Sequence, residues 1–141
     1  MAGSLAGAHF LRIRCGPPVG VKQCRRGRVP EIAAVGNMDD ILGRCSHFDA
    51  GIMFWEGARH PLELVAADNA SGFRRLLVVV GPEGGFSDGE AAAAEQAGFK
   101  LATLGPRILR AETASVVAGA LVQYLYGDLR HTLPHGDHCG N

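Results

Sequence analysis

Two glycine-rich segments in the second half of the chain carry residue types suited to binding a ligand. They are residues 81–86 and residues 104–113. Glycine adopts positive φ angles without strain and leaves room for backbone amides to approach a bound molecule, and we expect this of Gly84 and Gly85. The second segment would place charge beside the same molecule through three side chains: Arg107, Arg110 and Glu112.

Each glycine-rich segment follows a predicted strand. Residues 76–80 are consecutive aliphatic residues, a run typical of a strand buried on both faces of a parallel sheet, and residues 100–104 form a second short strand. After the first segment, Ser87 and Glu90 form a capping box that predicts a helix ending at Gly98. Because ligands bind beyond the carboxyl ends of parallel strands, both segments should meet at one crevice.

The preceding part of the chain continues this α/β alternation. Residues 29–35 predict a short strand, and Asn37 is a suitable N-cap for a helix over residues 38–45. Residues 51–55 form another compact apolar run. A helix is expected over about residues 61–67, with a proline in its first turn.

The two ends of the chain have weaker patterns. Residues 1–20 contain glycines and prolines that predict a loop or a frayed terminus. The last helix ends at Gly127, and the tail over residues 130–141 is expected to be mobile. One face of that helix is apolar: Val116, Val117, Ala120, Leu121, Tyr124 and Leu125.

Composition predicts a single cytoplasmic domain. The chain has 141 residues, 47% of them hydrophobic, and no formal net charge. Its four cysteines form no C-x-x-C pair, no signal peptide is recognisable, and the apolar run over residues 114–126 is too short to cross a bilayer. We therefore expect reduced thiols, no membrane partner and no metal. A flexible tail is a better interpretation than a metal site for four residues: His131, His135, His138 and Cys139.

A cluster of arginines gives the neutral chain a basic segment. Arg25, Arg26 and Arg28 lie in a stretch that contains no acidic residue before Glu31. Such a segment can bind a polyanion or can simply be a solvated charged arm, and charge alone does not decide between these.

Three segments of the sequence together resemble one family. Residues 81–87 and 104–114 resemble the paired signature of the ribosomal RNA small subunit methyltransferase E family, and residues 23–32, QCRRGRVPEI, are similar to that family's Q-C-x-R-x-x-V-P-E-I-type segment. The resemblance covers about residues 22–129. It implies methylation of N3 of a uridine in 16S ribosomal RNA with S-adenosylmethionine as the donor.

The resemblance also implies an architecture. It is the α/β SPOUT fold, a parallel sheet whose C-terminal part forms a trefoil knot that binds the cofactor, with a second subunit completing the site. Residues 21–129 would form this domain, with residues 1–20 unassigned. The family's N-terminal RNA-binding barrel is expected to be absent, as are the first strand and helix of its methyltransferase domain. The alternative is a catalytically idle fragment that binds cofactor or RNA.

The resemblance assigns the cofactor to the two glycine-rich segments. Turn formation alone would explain one such segment, whereas two matching segments favour a site. Neither is a G-x-G-x-x-G or Walker loop, which disfavours NAD and ATP, although a generic nucleotide-binding α/β protein with another ligand is a further alternative. The candidate cofactor-binding residues are Gly81, Glu83, Gly84, Gly85, Leu104, Gly105, Ile108 and Leu109.

Methylation of a uracil nitrogen requires removal of its proton and stabilisation of the resulting anion. Arg110 is the first candidate for the stabilising cation and Arg107 the second, although either could instead contact RNA phosphates or pair with Glu112. Glu83 or Glu112 could act as base or offset the sulfonium charge, while Glu112 could equally stabilise a helix N-terminus. The basic segment over residues 25–28 would hold the phosphates around an extruded base.

Overall fold

The computed structural model describes residues 9–14, 31–34, 37–62, 73–127 and 129. For residues 9–14 and 31–34 it describes the backbone alone. The predicted helix over residues 61–67 lies mostly outside this part of the chain. Its first residue, Pro61, forms an isolated parallel bridge with Thr103.

The described strands form one mixed sheet in the order β2-β1-β4-β3-β5. The parallel strands β3, β4 and β5 carry their carboxyl ends to the same edge, whereas β1 runs antiparallel to both β2 and β4. Their bounds are β1 His9–Arg14, β2 Glu31–Ala34, β3 Ala50–Phe54, β4 Arg75–Val80 and β5 Phe99–Ala102.

Two expectations are corrected by β1. The sheet is parallel only over β3, β4 and β5, and the segment expected to be irregular contains a strand. All six residues of β1 pair with β4, from His9 opposite Val80 to Arg14 opposite Arg75. Pairing with a central strand outweighs local turn signals, and the cluster that begins at Gly16 follows the strand without interrupting it.

Three described helices pack on this sheet: α1 Met38–Cys45, α2 Asp88–Gln96 and α3 Ala111–Tyr126. The predicted caps are confirmed. The Asn37 side chain accepts a hydrogen bond from the backbone N–H of Asp40 at 2.8 Å, and Ser87 and Glu90 form the reciprocal capping box. Gly98 follows α2 with a φ of 97°. None of the helices in the described ranges has the length and apolarity needed to cross a membrane.

The strand β4 is the centre of the core, as its sequence predicts. Its residues from Leu76 to Val80 are all buried. One face of β4, formed by Leu76, Val78 and Val80, packs against small or β-branched residues of α3. The opposite face is formed by Leu77 and Val79. The groups on that second face are Ile41, Cys45, Met53, Phe86, Ala94 and Phe99.

The helix α3 buries a different face from the apolar one noted in the sequence. Ala114, Ala118 and Val122 are buried against the sheet. Val116 and Tyr124, from the predicted apolar face, are 72% and 52% exposed. A hydrophobic face of the helix therefore lies on the surface of the single chain.

Asp49 joins the starts of β3 and β4. Its carboxylate accepts hydrogen bonds from the backbone N–H groups of Arg74 and Arg75, both at 2.8 Å, and its own N–H donates to the carbonyl of Arg75 at 3.0 Å. The bond from Arg75, followed by that from Arg74, lowers the pKa of the Asp49 carboxyl below its ordinary value of 3.8.

Asp49→Asn should reduce stability at neutral pH by weakening these charge-assisted bonds. The pKa of Asp49 is lower in the folded state than in the unfolded state. Its contribution to the free energy of unfolding is therefore fully present above its pKa in the unfolded state, and it is lost as pH falls through its pKa in the folded state. Urea unfolding of wild type and variant should therefore converge in acid below the ordinary pKa of 3.8. Glu95→Gln serves as the control for loss of one exposed carboxylate. A difference that persists unchanged in acid would contradict this role.

Candidate functional site

A crevice lies at the carboxyl ends of the three parallel strands. The last residues of β3 and β4, Phe54 and Val80, form its floor with Ala114 of α3. Both glycine-rich segments contribute to its walls, so the predicted convergence is observed. The crevice encloses about 80 Å³, below the roughly 300 to 1,000 Å³ usual for a ligand pocket.

Most of the candidate cofactor-binding residues line this crevice, and one candidate catalytic residue does so. That residue is Arg107, whose side chain is exposed. The candidate cofactor residues that line it are Gly81, Gly85, Leu104, Gly105, Ile108 and Leu109.

Four candidates lie beside the crevice without lining it: Glu83, Gly84, Arg110 and Glu112. Glu83 and Gly84 are exposed at the tip of the first segment. Arg110 is the N-cap of α3 but makes no side-chain capping bond, and Glu112 lies in the first helical turn, where a carboxylate interacts favourably with the helix dipole. The candidate RNA-binding residues Arg25, Arg26 and Arg28 lie outside the described residues.

A third segment, which sequence reasoning did not include, completes the crevice. Trp55 and Glu56 follow β3 directly and line it beside Phe86. The indole N–H of Trp55 donates to the carbonyl of Phe86 at 2.9 Å, linking this segment to the first glycine-rich segment. The rule that sites form after parallel strands applies equally to β3, so the apolar run at residues 51–55 contained the necessary signal.

Glycine geometry distinguishes the two adjacent glycines of the first segment. Gly85 has a φ of 69°, as expected, and its N–H donates to the carbonyl of Pro82 at 2.8 Å. The expectation for Gly84 is wrong, because its φ is not positive and the turn needs only one such residue. In the second segment Gly105 has a φ of 109°. Its backbone N–H and its carbonyl both form hydrogen bonds with the hydroxyl of Thr103.

In the described ranges, no cluster of three or more His, Cys, Asp or Glu side chains is arranged for an ion. The tail residues with metal-like spacing lie outside those ranges. Cys45 is buried, and burial raises the pKa of its thiol, which disfavours the reactive thiolate.

The crevice and its two glycine-rich segments agree with a family match. The RNA methyltransferase domain model matches residues 18–123, about three quarters of the chain. The chain belongs to this family. The resemblance to ribosomal RNA small subunit methyltransferase E is also confirmed, since relatives with that name match the same region of this RNA methyltransferase domain.

Two such relatives show the extent of the similarity. The protein from Mesomycoplasma hyopneumoniae is 36% identical over 95 residues, 67% of this chain and 40% of the relative. The protein from Buchnera aphidicola subsp. Schizaphis graminum is 37% identical over 112 residues, 77% of this chain and 42% of the relative. This RNA methyltransferase domain thus spans about 40% of the length of these relatives.

A solved structure supports the fold of the family. A putative methyltransferase from Legionella pneumophila, determined in complex with the bound cofactor SAM, has 28% sequence identity and a TM-score of 0.56. The alignment covers 72% of this chain and 40% of that protein. The α/β class of the RNA methyltransferase domain, with its three parallel strands, is therefore confirmed.

Gly85→Ala should destabilise the domain, because alanine pays about 1 to 2 kcal/mol in the left-handed region. The new Cβ would also lie 3.1 Å from Oε1 of Glu56, which must move. Gly84→Ala is a matched control, since no atom lies within 4 Å of its Cβ position. Urea unfolding midpoints measure both effects. Equal stability of the two variants would contradict the assigned backbone geometry.

Proposed function

We propose that this chain is the catalytic part of an S-adenosylmethionine-dependent RNA methyltransferase. The observation that carries the proposal is the crevice at the carboxyl ends of β3, β4 and β5, formed by both segments of the family signature. Membership of the RNA methyltransferase family and a fold neighbour that binds SAM support the same assignment. The fold supports cofactor binding at this crevice in particular, because open α/β sheets bind ligands at that edge.

The described residues fit such a cofactor. Leu104, Ile108 and Leu109 line the crevice with accessible apolar side chains suited to the adenine ring. The positive φ of Gly85 is a conformation that keeps this backbone position free of a Cβ. Arg107 provides a cation suited to the cofactor carboxylate, because guanidinium can bind a carboxylate through two hydrogen bonds. The crevice therefore offers an apolar contact to the adenine ring and a cationic contact to the carboxylate.

The proposed substrate is a uridine of 16S ribosomal RNA, methylated at N3. The names of the relatives support ribosomal RNA of the small subunit, and the uridine N3 position is the one that the family resemblance implies. S-adenosylmethionine supplies a methyl group on a sulfonium sulfur. The N3 proton passes to a base, the new bond forms between N3 and the methyl carbon, and the electrons of the broken carbon–sulfur bond remain on sulfur. Arg25, Arg26 and Arg28 are proposed to hold the flanking phosphates.

Arg110 is proposed to stabilise the uracil anion. It lies next to the crevice at the start of α3, and its side chain is not engaged in capping the helix. Arg107, inside the crevice, is left to the cofactor. Glu83 and Glu112 are the candidate bases, both exposed at the mouth of the site.

Methyl transfer to ribosomal subunits tests this function. We expect calorimetry to show binding of S-adenosylmethionine, and labelled methyl groups to appear at N3 of one uridine by mass spectrometry of digested RNA. Arg110→Ala should lower the transfer rate about 100-fold, as loss of one charge-stabilising group does, while cofactor affinity stays the same. The matched control is Arg74→Ala, because Arg74 directly precedes β4 at the end of that strand away from the crevice.

The alternative of an idle fragment predicts a different result. Cofactor binding without transfer to any RNA would favour that alternative, and absence of cofactor binding would contradict the function altogether. Methylation at a position other than uridine N3 would retain the enzyme class and reject the specificity.

A second copy of the chain is proposed to cover the exposed face of α3 and complete the site. Val116 and Tyr124 are largely exposed, and Ile108, which lines the crevice, is 82% exposed. Such apolar groups on a surface are typical of an interface. The small volume enclosed by one chain points the same way. The trefoil knot belongs to this proposal, because the knotted segment would carry both the cofactor site and the interface.

The dimer predicts twice the chain mass in light scattering at micromolar concentration. Val116→Asp should shift the protein to monomer and weaken cofactor binding, because burying an unpaired carboxylate at an apolar interface is unfavourable. Val116→Ala, which adds no charge, should remain dimeric. A wild-type monomer with full cofactor affinity would contradict the shared site.

A further inference from the structure

The segment after β3 is held in place by the first glycine-rich segment and by Thr103, which directly precedes the second. Its first residue, Trp55, donates its indole N–H to the carbonyl of Phe86 at 2.9 Å. Near its other end, the carbonyl of His60 accepts a hydrogen bond from the N–H of Thr103 at 3.1 Å. A backbone bond from Ala58 to the carbonyl of Trp55 closes a turn between these anchors. The conformation of the segment is therefore coupled to that of the crevice.

This anchoring places the carboxylate of Glu56 in the crevice. A Cβ placed on Gly85 would lie 3.1 Å from Oε1 and 3.6 Å from Oε2 of Glu56, so both oxygens are beside that backbone. Among the described residues that line the crevice, Glu56 is the one carboxylate and Arg107 the one guanidinium. No described residue forms a hydrogen bond or ion pair with the Glu56 side chain. Its charge is thus available to a ligand.

The proposed cofactor has charges that match this pair. Its carboxylate is suited to Arg107, which leaves Glu56 facing a molecule that carries a positive sulfonium centre before the reaction. The product of transfer is a neutral thioether, so the methyl donor and its product differ by one positive charge at that centre. A carboxylate near the sulfur would attract the donor more strongly than the product.

We propose that Glu56 is a specificity residue that favours the charged methyl donor over the demethylated product. The proposal rests on the cofactor assignment made above and assigns to the third segment a role in releasing product. Once the methyl group has left, the attraction to Glu56 is lost, and the product binds through its remaining contacts alone. Glu56 is exposed, so the effect is that of a partly solvated ion pair.

Dissociation constants for S-adenosylmethionine and S-adenosylhomocysteine test this role. Trp55, the chain's one tryptophan, lines the crevice, so its fluorescence reports binding without any need for activity. Glu56→Gln keeps the shape of the side chain and removes its charge. It should lower the preference for the donor by about threefold, a factor typical of an exposed ion pair, through weaker donor binding with product binding unchanged.

Two further variants sharpen the result. Glu95→Gln removes an exposed carboxylate outside the crevice and should leave the ratio of the two constants as in wild type. Glu56→Asp keeps the charge and should retain most of the preference. The donor affinity of wild type should also fall with added salt more steeply than that of Glu56→Gln, because screening weakens the charge pair.

The outcomes separate this proposal from the cofactor assignment. Equal weakening of both ligands by Glu56→Gln would indicate recognition of a shared hydroxyl or ammonium group and would overturn the role. An unchanged ratio in a variant with the wild-type urea midpoint would also overturn it, while leaving the cofactor assignment intact. If wild type binds neither molecule, both proposals fall.

Discussion

The burial of β4 on both faces is the constraint on which the structure depends. Its aliphatic residues from Leu76 to Val80 are at most 3% exposed, and they alternate between the layer containing α3 and the layer containing α1 and α2. A strand between two helical layers needs apolar residues at every position, which leaves polar function to the segment that follows it. The first glycine-rich segment begins at the next residue, Gly81. The hydrophobic core therefore fixes one wall of the crevice directly.

Hydrogen bonds at both ends hold the segment after β3 beside the crevice. This segment and the two glycine-rich segments each lie beyond the carboxyl end of a parallel strand. The indole of Trp55 bonds to the first glycine-rich segment, and the N–H of Thr103, directly before the second, bonds to the segment after β3. Small residues of α3, including Ala114 and Ala118, allow the helix to lie close to the sheet and carry the second segment over the crevice. Displacement of the segment after β3 would consequently disturb the crevice lining beside it.

Local signals in the sequence predicted the elements around the site well. Asn37, Ser87 and Glu90 define helix starts through bonds within a few residues, and these were found as expected. The aliphatic run of β4 was similarly unambiguous. The strand β1 was missed because its stability comes from pairing with a distant segment, and no nearby residue signals this. The buried face of α3 was not recognised because, apart from Val122, it consists of small or polar residues with little hydrophobicity of their own.

The candidate site was found only in part for a related reason. The glycine-rich segments are conspicuous in sequence, whereas Glu56 is a single carboxylate whose position becomes meaningful only when β3 is seen to lie between β4 and β5.

The order of the strands also has a consequence for synthesis. When β1 leaves the ribosome, its partner β4 has not yet been made, and β2, α1 and β3 must follow first. The sheet thus closes late around its central strand, and loop closure of this length is expected to limit the folding rate.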